Sequence, residues 1–194
     1  MYGINKVSKK IEDLVVSILA LLLLLPVFSI IALGVKLSSR GPVFYKQERM
    51  SWNGSTFNML KFRSMPQNAE EETGAKWANK DDNRATRFGG FLRRTSLDEL
   101  PQLYSVYKGD INFIGPRPAL HNQTDLITKR TANKIHKIPP GITGWAQVNG
   151  RDEISIDKKV ILDTYYLNNK SLTLKTKILL LTIIQLITPK GVRH

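Results

Sequence analysis

Hydrophobic positions are unevenly spread along the chain. From Leu14 to Val35 they run through 22 residues without a charge. As a helix rising ~1.5 Å per residue this stretch would measure about 33 Å, enough to cross a hydrocarbon core. Secretory signal peptides carry shorter apolar runs of about 7 to 15 residues, and acidic Glu12 and Asp13 precede this one. The pattern therefore predicts membrane insertion rather than cleavage. Pro26 lies near the middle of the run, where it gives no hydrogen bond to the helix ladder and its ring opposes straight continuation from Leu22. A bend is expected at Pro26. Lys6, Lys9 and Lys10 precede the run while Lys36, Arg40 and Lys46 follow it, so the positive-inside bias does not set the two flanks on opposite sides. Two arrangements fit: a kinked spanning helix, or a re-entrant helix-break-helix over residues 1–36 whose freed carbonyls face protein or water.

The pattern then changes period. Gly41 to Arg49 reads as a turn into a strand, and Ser55 to Arg63 as its hairpin partner across Asn53-Gly54. Pro66 to Arg84 is polar with an acidic run at Glu70-Glu71-Glu72, the signature of a helix start and an exposed loop. A short helix is expected from Leu100 to Tyr107 and a basic helix near Asp125 to Lys137, with Gly/Pro-rich stretches at Gly115 to Pro118 and Pro139 to Gly150. Ser171 to Ile187 is apolar behind Lys175 and Lys177, but its uncharged run from Ile178 to Thr188 is short for a span. An amphipathic interfacial helix is expected there. The fold class expected is α+β, mainly helical with a small β-hairpin, residues 37–194 forming one domain.

Charge narrows the possibilities. Lys and Arg outnumber Asp and Glu by 29 to 16, a net +13, which favours polyanions such as phospholipid headgroups, nucleotides or nucleic acid. Nucleic-acid binding explains neither the apolar run nor the acidic pair described next, and is set aside. There is no cysteine, and His121, His136 and His194 lack zinc-ligand spacing, so any metal would sit on oxygen ligands. The sequence has no Walker-type loop, dinucleotide glycine fingerprint or zincin helix pattern.

Candidate chemistry centres on Arg93-Arg94-Thr95-Ser96-Leu97-Asp98-Glu99-Leu100-Pro101. Ser96-x-x-Glu99 matches a capping box, and Asp98 in a first turn would complement the helix dipole; Pro101, however, would fall inside the helix so capped. Adjacent helical side chains point about 100° apart, so Asp98 and Glu99 cannot flank one bond as a glycosidase pair does. A carboxylate held ionised by arginines can act as a nucleophile on phosphorus while its neighbour binds a hard cation such as Mg2+. Gly115-Pro116-Arg117-Pro118 restricts the backbone around one arginine and presents its fork to a phosphate. Pro139 to Arg151 offers glycines for close backbone approach and a terminal arginine. A nucleotide diphosphate and a lipid phosphate together would supply the phosphates these arginines imply.

Five blocks in this order, Lys61-Phe62-Arg63-Ser64-Met65, Thr95 to Leu103, Lys108-Gly109-Asp110, Gly115 to Pro118 and Pro140 to Arg151, closely resemble the bacterial sugar transferase family of monotopic polyprenyl-phosphate phosphoglycosyl transferases. The resemblance covers nearly the whole chain, at the length of the family's minimal members. It implies transfer of a sugar-1-phosphate from a UDP-sugar to a polyprenyl phosphate, typically undecaprenyl phosphate, with release of UMP, the step that starts a surface glycan. It implies that Asp98 is the nucleophile of a covalent phosphosugar intermediate and that Glu99 helps hold Mg2+. Arg93, Arg117 and Arg151 fall on motif positions that contact phosphates, as does Lys61. It also favours the re-entrant arrangement, with the catalytic domain on the cytoplasmic face of the bacterial inner membrane and phospholipid around the anchor. Leu25 stands where similar members often carry serine before the membrane proline, and Arg49 to Gly54 departs from the usual glycine-containing turn. Two rivals remain at this point: Asp98 as a general base for direct attack by the lipid phosphate, and a non-catalytic membrane-surface module that binds lipid or a partner.

Overall fold

A computed structural model describes residues 2–67, 69, 84–150 and 153–187. The apolar run forms two helices, α1 (Tyr2–Leu23) and α2 (Leu25–Ser38). Their apolar parts, Glu12–Leu23 and Leu25–Ser38, meet at a 60° bend. The break falls at Leu24 rather than at Pro26, because proline is tolerated within the first turn of a helix, where the N–H it lacks has no partner to lose. No single helix among the described residues is long and apolar enough to cross a membrane, whereas the bent pair passes that test together.

The pair is not a separate appendage. Ile31 and Val35 of α2 are buried against Phe62 and Leu92, which belong to the body of the chain, and Ser17 of α1 is fully buried. The opposite faces carry Leu19, Leu22, Leu23, Leu25, Ile30, Leu33 and Leu37 at more than half exposure. An apolar surface so extensive marks a contact site for a protein or a membrane.

The hairpin forms as its alternation predicts. β1 (Phe44–Met50) pairs antiparallel with β2 (Thr56–Phe62), Phe44 opposite Phe62 and Met50 opposite Thr56. Its turn is a 3-10 segment, Trp52–Gly54, with Asn53 and Gly54 both at positive φ. Beyond it come α3 (Arg87–Arg94), α4 (Gln102–Lys108), β3 (Asn112–Ile114), α5 (Thr124–Ala132), β4 (Gly141–Thr143), α6 (Trp145–Val148), α7 (Ile156–Asn168) and α8 (Leu172–Ile187). The helix expected from Leu100 begins at Gln102, since Pro101 occupies its N-cap. The basic helix expected to Lys137 stops at Ala132; Lys134 at φ 59 starts a separate turn. The second Gly-rich stretch is not a loop throughout, because Gly141–Thr143 pairs in parallel with β3. The acidic run at Glu70 to Glu72 lies outside the described residues. On α8, Leu172, Leu180, Ile183, Ile184 and Leu186 are more than half exposed, while Ile178 is buried under Val148 and Tyr166. One face docks and the other is left apolar.

Two buried arginines fasten the segment that carries Arg117. Arg130 on α5 donates Nε and Nη2 to Asp163 Oδ2 on α7, at 3.0 and 2.6 Å, and Nη1 to the Arg117 carbonyl at 2.7 Å. Arg49 on β1 donates Nη1 to the Pro118 carbonyl at 3.0 Å, and Met50 N–H reaches Ala119 O at 2.8 Å. Burial raises the Asp163 carboxyl above its ordinary range, and Arg130 opposes that shift. Removing one partner of such a pair strands the other charge. Asp163→Ala should lower the unfolding free energy by about 3 kcal/mol or more in detergent; a loss under about 1 kcal/mol, the scale of an exposed pair, would contradict this reading.

Candidate active site

The two adjacent carboxylates sit in one 3-10 turn, Leu97–Glu99, between α3 and α4. Ser96 before it is left-handed at φ 56 and its side chain caps nothing. The capping-box reading therefore fails, because the Glu99 side chain is engaged elsewhere. Glu99 Oε1 accepts from Lys61 Nζ at 2.8 Å and from Arg117 Nη2 at 2.5 Å, and Oε2 accepts from Arg117 Nη1 at 3.3 Å. Lys61 comes from β2 and Arg117 from the proline-braced Gly115 to Pro118 segment, so one carboxylate ties three distant parts of the chain.

Asp98 has the opposite surroundings. It is 8% exposed, and burial pushes its carboxyl up to about 6, although Lys61, Arg93 and Arg117 pull it down. The negative charge of Glu99 adds to the rise. For Glu99 burial acts upward too, but Arg117 and Lys61 together hold its carboxyl well below the usual range. The pair thus divides into a locked anion and a carboxylate that titrates near neutrality, an asymmetry typical of functional sites.

Arg93 completes the group from α3. Its Nε donates to Ser64 Oγ at 2.8 Å. Close approach of α3 to the end of β2 makes this possible: a Cβ on Gly89 would stand 1.9 Å from the Ser64 carbonyl oxygen. Thr86 Oγ1 accepts from Gly89 N–H at 2.9 Å and caps α3.

Lys61, Arg93, Asp98, Glu99 and Arg117 all line one cavity of about 270 Å³, whose walls carry seven basic side chains and two acidic ones. Arg151 lies outside the described residues. Sequence reading missed further charged and amide side chains of this wall, among them Arg49, Arg63, Arg130 and Gln147. Arg63 was within reach of sequence reasoning, because strand alternation sets it two residues from Lys61; Arg130 and Gln147 arrive through long-range packing.

No group of three or more acidic or histidine side chains able to hold a metal occurs among the described residues. Mg2+ fits this site in another way, since it is commonly held by one or two carboxylates plus substrate phosphates and water. Asp98 and the more weakly engaged Oε2 of Glu99 are the oxygens suited to it.

Comparison with known proteins places the chain in a family. The bacterial sugar transferase family matches residues 4–189, and the chain belongs to that family. It is similar to the UDP-glucose:undecaprenyl-phosphate glucose-1-phosphate transferase of Xanthomonas campestris pv. campestris, 42% identical over 95% of this chain and 40% of that protein. The uncharacterised sugar transferase EpsL of Bacillus subtilis is 39% identical over 97% of this chain and 91% of its own length. The UDP-N-acetylgalactosamine-undecaprenyl-phosphate N-acetylgalactosaminephosphotransferase of Aeromonas hydrophila is 37% identical over 95% of this chain and 45% of itself. The chain thus spans less than half of the two relatives named for a substrate, and nearly all of EpsL.

The divided pair predicts opposite stability effects. The folded state holds a proton on Asp98 between its ordinary pKa of 3.8 and about 6, so this group makes stability fall as pH rises through that window, and above it the charge remains destabilising. Glu99, with its pKa lowered, stabilises above its ordinary range and loses that contribution as pH falls. At pH 7.5, Asp98→Asn should raise the melting temperature and Glu99→Gln lower it, each by at least about 2 °C, the scale of ~1 kcal/mol at this size. Shifts of the same sign would contradict the division of roles.

Proposed function

We propose that this protein is a phosphoglycosyl transferase that moves a sugar-1-phosphate from a UDP-sugar to a polyprenyl phosphate such as undecaprenyl phosphate, releasing UMP and opening the synthesis of a surface glycan. The observation that carries the reading is the buried Asp98, which titrates near neutrality beside a Glu99 locked between Lys61 and Arg117. The names of the relatives support the substrate classes. In the first step an Asp98 carboxylate oxygen attacks the sugar-bearing phosphorus of the UDP-sugar, and the bond to the bridging oxygen breaks, so that UMP leaves with that oxygen. In the second step an oxygen of the lipid phosphate attacks the same phosphorus, the bond to Asp98 breaks, and the carboxylate is regenerated. Arg93, Arg117 and Arg151 hold phosphate charge, with Lys61 orienting Glu99. Glu99, with Asp98, would hold Mg2+, which when bound would neutralise charge on the phosphates. Glu99 has no freedom to attack, because its stronger oxygen already accepts two charged donors.

The bent pair α1–α2 serves this reaction as a re-entrant anchor whose two flanks share the cytoplasmic face. UDP-sugar then reaches the cavity from water while the lipid phosphate approaches from the bilayer. The exposed apolar residues of α1, α2 and α8 support this placement.

With a UDP-sugar, undecaprenyl phosphate and Mg2+, Asp98→Asn should reduce UMP release by at least about 10³-fold, as loss of a nucleophile does; near-normal turnover would sink the assignment. In the unmodified protein the rate should rise with pH as Asp98, its pKa raised by burial, ionises. A flat profile between pH 5 and 8 would contradict a role for ionised Asp98 either as nucleophile or as general base.

A further inference from the structure

Arg63 lines the same cavity as Asp98 but has no part in the chemistry assigned above. Its backbone N–H closes the hairpin on Val43 O at 2.9 Å. Its side chain turns toward the membrane pair, where Nη2 donates to the Ser39 carbonyl at 2.7 Å and to Ser39 Oγ at 3.1 Å. Ser39 is the residue that ends α2. The guanidinium is therefore fixed where the second apolar helix stops, a short way past exposed Leu33 and Leu37. In a bilayer this is the level at which apolar surface gives way to phosphate headgroups.

The residue is 6% exposed, yet among the described residues Nε and Nη1 have no hydrogen-bond partner. Buried donors are nearly always satisfied, and more so when charged, so two open ones on one guanidinium call for a ligand. The chain also makes room for this group. Gly41, at φ +124, admits Nη1 where a Cβ would stand 2.2 Å away, and that Cβ would lie 2.7 Å from Gln67 Oε1. Exposed Gln67 is the side chain that can turn aside to open the site.

We propose that Arg63 binds the phosphate of the lipid acceptor, giving the cavity a second phosphate subsite on its membrane side, apart from the donor phosphates beside Asp98. The inference rests on the transferase reading. The shared chemistry is a phosphate oxygen accepting charge-assisted hydrogen bonds. A polyprenyl phosphate, the donor diphosphate and a bulk phospholipid could each supply one, and position favours the first. Arg63 is a binding residue here, contacting the acceptor's phosphate.

The test measures KM for undecaprenyl phosphate and for the UDP-sugar with the full chain in nanodiscs, using wild type, Arg63→Gln and Arg63→Lys, at two phosphatidylglycerol fractions. Arg63→Gln should raise the acceptor KM about ten-fold or more, the weight of one charged contact, and Arg63→Lys by a smaller factor. The donor KM should move less than about two-fold, on the same scale of contact energies, and phosphatidylglycerol should not compete. An unmoved acceptor KM, or a donor KM that rises in step with it, overturns the proposal; competition by phosphatidylglycerol makes Arg63 a general headgroup site and overturns it too. If Arg63→Gln does not fold, the acceptor-to-donor KM ratio of Arg63→Lys decides by the same criterion. Wild type without lipid-dependent UMP release defeats the transferase reading and this inference with it, whereas wild-type turnover with unmoved variant KM values defeats the inference alone.

Discussion

The structure turns on one carboxylate held by two cations. Glu99 takes Lys61 from β2 and Arg117 from the Gly115 to Pro118 segment, at 2.8 and 2.5 Å, and three parts of the chain remote in sequence meet on it. A buried ion pair of this kind adds little stability compared with a well-packed apolar core, so its value lies in the arrangement it enforces. By neutralising Glu99 and leaving Asp98 buried in a cation-lined pocket, the chain separates two neighbouring carboxylates that would otherwise behave alike. The further brace of Arg130 and Asp163 on the Arg117 carbonyl serves the same end, because the fork of Arg117 can be aimed only if its backbone does not move.

The apolar helices take their place around this centre. Ile31 and Val35 pack on Phe62 and Leu92, and those two residues stand next to Arg63 and Arg93 in sequence. The placement of α2 and the geometry of the cavity are therefore coupled through one small core. Stacking of Phe44 on Phe62 and the tilted contact of Phe28 with Phe62 carry that core from α2 into the hairpin. A substitution that loosened α2 would be felt at the arginines before it released the anchor.

Much of this was legible in the sequence, and the reasons differ by element. The hairpin followed from alternation and an Asn-Gly turn, the bend from a proline in an apolar run, and the apolar face of α8 from a hydrophobic stretch too short to span. The acidic pair and its basic neighbours stood out because charge is locally dense there. What local pattern could not supply was partnership. Ser96-x-x-Glu99 imitates a capping box until Lys61, 38 residues away, claims the glutamate. The β3–β4 pairing escaped notice because parallel strands of three residues carry no periodic signal. α3 was hidden by two glycines in its middle, which lower helix propensity, although one of them, Gly89, is needed for packing on Ser64. The break at Leu24 rather than Pro26 is a boundary effect, since proline marks the start of the second helix and not the corner itself.

The central claim is that Asp98, and not Glu99, carries the chemistry because only Asp98 is left uncommitted by the surrounding cations. Intact-mass and peptide-mapping spectrometry of the protein incubated with a UDP-sugar and Mg2+, without lipid acceptor, addresses it directly. The account predicts one added sugar phosphate, confined to Asp98 and lost when undecaprenyl phosphate is supplied. An adduct on Glu99, or none on a preparation that turns over once lipid is added, would contradict it.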